Sequence, residues 1–205
     1  MLTDLTIKDF LKKTASNSPV PGGGSIAALS GAISASLLEM VASLTIGKKG
    51  YEEFEEEMKE ISIAVLEYRN KLIADIDKDS NAYDAVMAAY RLPKSNDEER
   101  DRRSGAIQEA LKNAVLVPLE VAKMGLDIIK LAGNIVRDGN KNAITDGAVA
   151  AMMARTALLS ALYNVKINLS SIKDEAFVNE ISDQVRDMEN KIQKLEQGIL
   201  AEIDL

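Results

Sequence analysis

From Tyr51 to Leu72 the chain sets Tyr51, Phe54, Met58, Ile61, Val65, Tyr68 and Leu72 at alternating steps of three and four. That spacing lays an apolar stripe along one face of a helix and fits no strand, whose faces alternate every second residue. Glu and Lys fill the gaps, and the rhythm extends to Tyr90. The same period recurs elsewhere. Thr6 to Ala15 reads as a short amphipathic helix. Ser25 to Ile46 carries Ile26, Leu29, Ile33, Leu37, Val41 and Leu44, and Gly47-Lys48-Lys49-Gly50 reads as its stop. After "RLPKSNDEERDRR", Pro93 ends one helix and Ser95 or Asn96 caps the next, which runs through Ile107, Leu111, Val115, Val121, Ile128, Leu131 and Ile135. Pro118 lies inside it and should kink it. "RDGNKNAITDG" is a turn-rich break, followed by a helix from about Thr145 to Asn168. A last helix, Asp174 to about Ile203, has a single stripe and belongs on the outside. No segment shows strand alternation with hairpin turns. These spacings predict an all-α fold, an up-and-down bundle of about five long helices plus a short N-terminal helix, with residues 1–205 as one domain.

Composition narrows the chemistry. Apolar residues are 46% of the 205 positions but aromatics only 4%, so the core is aliphatic. There is no cysteine and no histidine. That removes thiolate chemistry, the commonest metal ligand and the usual neutral-pH proton shuttle, and leaves Asp, Glu, Lys, Tyr and water for acid–base work. A net charge of −7 without a basic cluster argues against nucleic acid. The first residues carry acids and no apolar core, unlike a signal peptide. Between Thr14 and Gly47 only Glu39 is charged, but two prolines, three glycines and many serines fit a buried helix better than a membrane span. A cytoplasmic protein with no membrane partner is expected.

Three places break the apolar pattern. Stepping by seven from Tyr51 gives Met58, Val65, Leu72 and then Asp79, flanked on the same face by Ile76 and Tyr83. A carboxylate on a buried stripe is costly unless bonded; Asp79 is either a boundary residue bonded to a cap or lysine, or a site carboxylate with a shifted pKa. The later helix carries a small, polar stripe of Asp146, Ala150, Met153, Ala157, Ser160, Asn164 and Asn168. Asp146 and Asn164 are about 27 Å apart along a helix, too far to serve one reacting centre from one chain. Asp146 can instead cap its helix, and the asparagines can bond a neighbour. Finally, Gly22-Gly23-Gly24 opens a helix. It offers free N–H groups to an anion or, with Ala28, Gly31 and Ala35, a small face for close packing. It matches neither the Walker A pattern nor the dinucleotide fingerprint.

Taken together, "SPVPGGGSIAALSGAISASLLEMVASLT", "DKDSNAYDAVMAAYRLPK", "VPLEVA", "GNKNAITDGAVAAMMA" and "NVKINLSSIKDEAF" stand in an order and spacing that resembles the formiminotransferase-cyclodeaminase C-terminal family, from the first helix to about Phe177. That family includes formiminotetrahydrofolate cyclodeaminases and stand-alone bacterial methenyltetrahydrofolate cyclohydrolases. The resemblance implies an all-helical homodimer that binds a reduced folate in a cleft and needs no metal or cofactor beyond it. It also implies site residues. Pro21, Gly22, Gly23, Gly24 and Ser25 form the glycine-rich part of the folate site. Asp79 is its acid and Tyr83 the aromatic companion. Lys94 is an acid or a holder of a folate carboxylate. Asn140 and Asp146 come from the "GN…TD" element, Asp146 as a further candidate acid or base, and Asn164 and Asn168 from "NVKINL". The 205 residues leave no room for a formiminotransferase domain.

Cyclohydrolysis adds water to the bridging carbon of the 5,10-methenyl cation to give 10-formyltetrahydrofolate. Cyclodeamination forms that cation from the 5-formimino compound with loss of ammonia. Both suit a carboxylate that balances positive charge and moves protons. Cyclohydrolase is the expected activity, cyclodeaminase the alternative, and a non-catalytic helical folate-binding or interaction module the further one.

Overall fold

The computed structural model describes residues 1–203. Six α-helices appear, with no strand among the described residues: α1 (Ile7–Thr14), α2 (Gly23–Ser43), α3 (Glu55–Tyr90), α4 (Asp97–Asp138), α5 (Ile144–Leu169) and α6 (Glu175–Ala201). Short 3₁₀ turns occupy Leu2–Asp4, Glu52–Phe54 and Lys141–Ala143. At their lengths α3 and α4 run for about 54 and 63 Å. Local chemistry sets their ends. Thr6, Asn96 and Asp174 accept the N–H of Asp9, Glu99 and Phe177 and so cap α1, α4 and α6. Gly47 and Gly50, both at positive φ, make the turn after α2.

Helices α2 to α5 alternate in direction. Ser25 lies against Ile76 and Asp79, Tyr68 against Asp127, and Asn168 against Ala114, so each helix runs antiparallel to the next. Ser34 donates to the Ala150 carbonyl at 2.7 Å, which closes the bundle between α2 and α5. Helix α6 lies outside on α4 and α5, burying Ile181, Val185, Met188, Ile192 and Ile199 along one stripe.

The interior of α2 and α5 is made of small residues. Gly24, Ala28, Gly31 and Ala35 are all buried, as are Ala150, Ala154, Ala157 and Ala161. A Cβ on Gly31 would meet the Leu72 methyls at 3.0 and 3.2 Å, so α2 and α3 approach as closely as a glycine permits. This corrects one expectation. The large apolar stripe from Ile26 to Leu44 is only partly inside: Val41 is buried and Ile26, Leu29 and Leu37 are partly buried against the core, but Ile33 and Leu44 are 42% and 49% exposed. Three helices crowd α2, and close approach selects its small face for the inside, leaving large side chains outside. Both α2 and the Lys141–Leu169 segment are long and apolar enough to cross a membrane, but 61% and 50% of their apolar windows are buried within the bundle. Helix α4 continues through the buried Pro118.

Candidate active site

A cleft of about 290 Å³ opens at one end of the bundle, where α2 begins and α5 ends. Its walls are the glycine turn (Pro19, Val20, Gly22, Gly23, Gly24), the last third of α3 (Asp79, Ala82, Tyr83, Val86), Leu111 and Ala114 of α4, and Asn164 and Asn168 of α5.

Asp79 is the one charged side chain on that wall. Helix α2 starts with glycines, and its N-cap, Gly22, has no side chain to satisfy the first N–H groups. The carboxylate of Asp79 does so from α3. Oδ2 accepts the Ser25 N–H at 2.9 Å and stands 3.0 Å from the Ser25 hydroxyl. That hydroxyl also lies 3.0 Å from the Ile76 carbonyl, and its single proton serves one acceptor at a time. Burial pushes the Asp79 carboxyl above its ordinary value, while the two Ser25 bonds pull it back down; burial wins. Oδ1 has no partner among the described residues. The glycine is obligatory here, since a Cβ on Gly24 would fall on Asp79 Oδ1. The carboxylate occupies the space that any other residue would need.

The two asparagines are held by carbonyls. Asn164 Nδ2 donates to the Ser160 carbonyl at 2.8 Å within α5. Asn168 Nδ2 donates to the Ala114 carbonyl of α4, also at 2.8 Å. Ala114 is four residues before Pro118, which has no N–H to give it. The carbonyl that proline orphans is therefore filled by Asn168. In both residues one amide N–H is committed to the protein, and Oδ1 has no partner among the described residues.

The sequence candidates thus divide. Gly22, Gly23, Gly24, Asp79, Tyr83, Asn164 and Asn168 share one cleft. Ser25 is fully buried behind Asp79 and reaches the cleft only through it. Pro21 is buried beside its cis bond to Val20, with Pro19 and Val20 facing the cleft instead. Lys94 is exposed on the α3–α4 link and its carbonyl accepts from Arg100. Asn140 lies beyond the other end of α2, about 31 Å from the glycine turn, and Asp146, 18 residues before Asn164 on α5, about 27 Å from it. Asn140 is a structural knot there. Its N–H donates to Thr45 Oγ1 and its Nδ2 to the Leu44 carbonyl, while Oδ1 accepts from the Asn142 N–H and from Lys48. Asp146 sits half-buried in the first turn of α5 without a hydrogen-bond partner among the described residues, and does not cap it. Sequence reading missed Pro19, Val20, Ala82 and Ala114 as cleft residues. It carried Leu111 on an apolar stripe and Val86, seven beyond Asp79, within the rhythm that extends to Tyr90, because nothing local tells a core position from a cleft wall. No cluster of three or more metal-ligating side chains occurs among the described residues.

The sequence profile of the formiminotransferase-cyclodeaminase family matches residues 6–187. The chain belongs to that family. Among its relatives, the methenyltetrahydrofolate cyclohydrolase of Methylorubrum extorquens is 43% identical over 197 residues, 96% of this chain and 89% of the relative. The formimidoyltransferase-cyclodeaminase of Rattus norvegicus is 34% identical over 86% of this chain, which spans about a third (32%) of that longer protein. The crystal structure of formiminotetrahydrofolate cyclodeaminase from Thermotoga maritima superposes with a TM-score of 0.89 at 34% identity, covering 98% of this chain and 97% of that one. The family's all-helical fold is the one described above.

Proposed function

We propose that this protein is a methenyltetrahydrofolate cyclohydrolase, acting on the N5–C–N10 bridge of a reduced folate. The observation that carries this is Asp79: a semi-buried carboxylate with one free oxygen, alone in charge on the wall of a small cleft. The identity to the Methylorubrum extorquens cyclohydrolase over nearly both full lengths supports the same reaction. The substrate is a cationic amidinium, and a single negative charge in a partly dehydrated site favours it. Water attacks the bridging carbon as Asp79 Oδ1 accepts its proton, giving a neutral tetrahedral carbinol. Collapse forms the formyl C=O, breaks the C–N5 bond and moves the hydroxyl proton to N5. The product is 10-formyltetrahydrofolate, and Asp79 releases one proton to solvent. The test is the near-ultraviolet absorbance of the methenyl compound, which purified protein should abolish; folded protein that leaves its spontaneous decay rate unchanged would sink the reading.

Cyclodeamination is the second reading, favoured by the likeness to the Thermotoga maritima enzyme. There N10 attacks the formimino carbon, ammonia leaves, and the same Asp79 faces the same cation. Supplying the 5-formimino compound separates the two: ammonia release with rising methenyl absorbance identifies the deaminase.

In this reading residues 1–205 act as one catalytic domain and as a homodimer without a metal. Support for pairing comes from apolar side chains left exposed on adjacent helices, Ile33 and Met40 of α2 and Leu44 at its end with Val149, Met152, Tyr163 and Ile167 of α5. Asn140 and Asp146 join the chemistry only if a partner subunit brings them to the cleft. Co-expressing Asp79→Asn with Asp146→Asn chains tests it. Two inactive parents whose mixture regains activity support a shared site; an Asp146→Asn enzyme of full activity removes Asp146 from the reaction.

A further inference from the structure

We infer that the cleft takes the pterin ring by its donor edge, with Asn168 and Asn164 reading the 2-amino group and N3–H, and that the glutamate tail stays outside. This rests on the folate reading above.

The wall has an order. Asn168 and Asn164 are one helical turn apart on the same face of α5. Asn164 touches the start of α2, its Nδ2 3.1 Å from the position of a Cβ on Gly23. Gly24 is followed at once by Asp79, which lies against it. Along this line the free groups are an acceptor (Asn168 Oδ1), an acceptor (Asn164 Oδ1), two backbone donors (Gly23 and Gly24 N–H, which have no partner among the described residues) and an anion (Asp79 Oδ1). A tetrahydropterin presents, in sequence along one edge, the 2-amino donor, the N3–H donor, the O4 acceptor and then N5 with its cationic carbon. Each position meets its complement.

The orientation of the two amides is what makes this pattern firm. Turning either carboxamide over would set its oxygen against the Ser160 or Ala114 carbonyl, oxygen to oxygen. The Ala114 carbonyl needs a donor because Pro118 has none, so Asn168 keeps Nδ2 on that carbonyl and turns Oδ1 away from it. The opposite assignment fails on charge. Two glutamate carboxylates would face Asp79 with no Lys or Arg on the wall to balance them. Size agrees as well: about 290 Å³ lies at the lower bound of small-molecule sites, enough for a bicyclic ring and its bridge rather than a whole folate.

The test measures dissociation constants for 5-formyltetrahydrofolate, which is not turned over in the cyclohydrolase direction, and for its 2-desamino-2-methyl analogue. Wild-type protein should bind the first at least about tenfold more tightly, because the analogue leaves Asn168 Oδ1 unpaired. Asn168→Leu should bind the two within about twofold of each other. Asn164→Leu should weaken 5-formyltetrahydrofolate and keep the preference for the 2-amino group. p-Aminobenzoylglutamate should not displace the probe, and 6-methyltetrahydropterin should. Equal wild-type binding of probe and analogue overturns the inference, and it needs no variant to fold. So does displacement by p-aminobenzoylglutamate alone, or discrimination that survives in folded Asn168→Leu. Wild-type protein that binds neither compound overturns the folate reading itself.

Discussion

Pro118 and Asn168 meet at one carbonyl oxygen: the proline leaves Ala114 without its helical donor, and the asparagine amide supplies one from the neighbouring helix. A residue that costs α4 stability thereby fixes a side chain of the cleft. Pro118→Ala returns an N–H to the helix and removes the most helix-averse residue from its interior. The variant should unfold at a higher temperature, by about 1–3 kcal/mol in stability, yet bind 5-formyltetrahydrofolate several-fold more weakly because Asn168 loses its sole claim on Ala114. Melting curves and titrations on the same sample check both halves; lower stability together with unchanged affinity would contradict the account.

Asp79→Asn separates chemistry from folding. The amide still accepts from Ser25 but takes no proton from water, so turnover should fall by about 10²–10⁴ while folate binding persists. The stability effect has a definite sign. Burial holds the Asp79 carboxyl above its ordinary value, so the folded state binds the proton more tightly than the unfolded one. Stability from this group is greatest below the unfolded value and declines as pH rises through the folded one. The variant should therefore match wild type in strong acid and gain on it toward neutral pH, read as a growing difference in melting temperature.

Ser25→Ala tests the balance at Asp79 directly. The hydroxyl is the leading influence that lowers this carboxyl against burial. Without it the group titrates at higher pH, so the acidic limb of the kcat/KM profile should move upward in pH, with maximal rate largely retained once Asp79 is ionised. A profile that stays in place would detach that limb from Asp79.

Gly24→Ala and Gly105→Ala form a matched pair. At Gly24 a methyl would displace the Asp79 carboxylate; overpacking should cost about 1–3 kcal/mol and abolish turnover. Gly105 lies inside α4 with open space around it, and alanine there should add about 0.5–1 kcal/mol and leave the rate alone. Chemical denaturation and the absorbance assay read the two variants side by side.

Most of the fold was legible because helix periodicity and caps are local. Asn96, Thr6 and Asp174 cap the helices that the apolar spacing predicts, and Gly47 and Gly50 make the turn. The inward face of α2 was legible only in part. Which side of an apolar helix points inward depends on how closely its neighbours come, and that distance is not written in α2 itself. The cleft was legible in part for a similar reason. Asp79, Asn164 and Asn168 interrupt apolar stripes and so declare themselves. Leu111 obeys its stripe, and only the crossing of α4 past α5 turns it and Ala114 into a wall. Asn140 is held by Thr45, Leu44 and Lys48, contacts nearly a hundred residues distant in the chain that its own segment does not announce.

The bond from Ser25 to Asp79 couples two things that enzymes often keep separate. The same carboxylate closes the first turn of α2 and lines the cleft, so occupancy of the cleft and fraying of a helix draw on one side chain. A bound methenyl cation that draws Asp79 forward should slacken the Ser25 amide, whereas the uncharged 5-formyl compound should not. Hydrogen exchange at the Ser25 N–H should accordingly quicken under saturating 5,10-methenyl substrate and stay unchanged with 5-formyltetrahydrofolate, while amides deeper in α2, at Leu38 and Val41, hold their rates in both. The helix start is in that sense a gauge of charge in the cleft, read in the backbone.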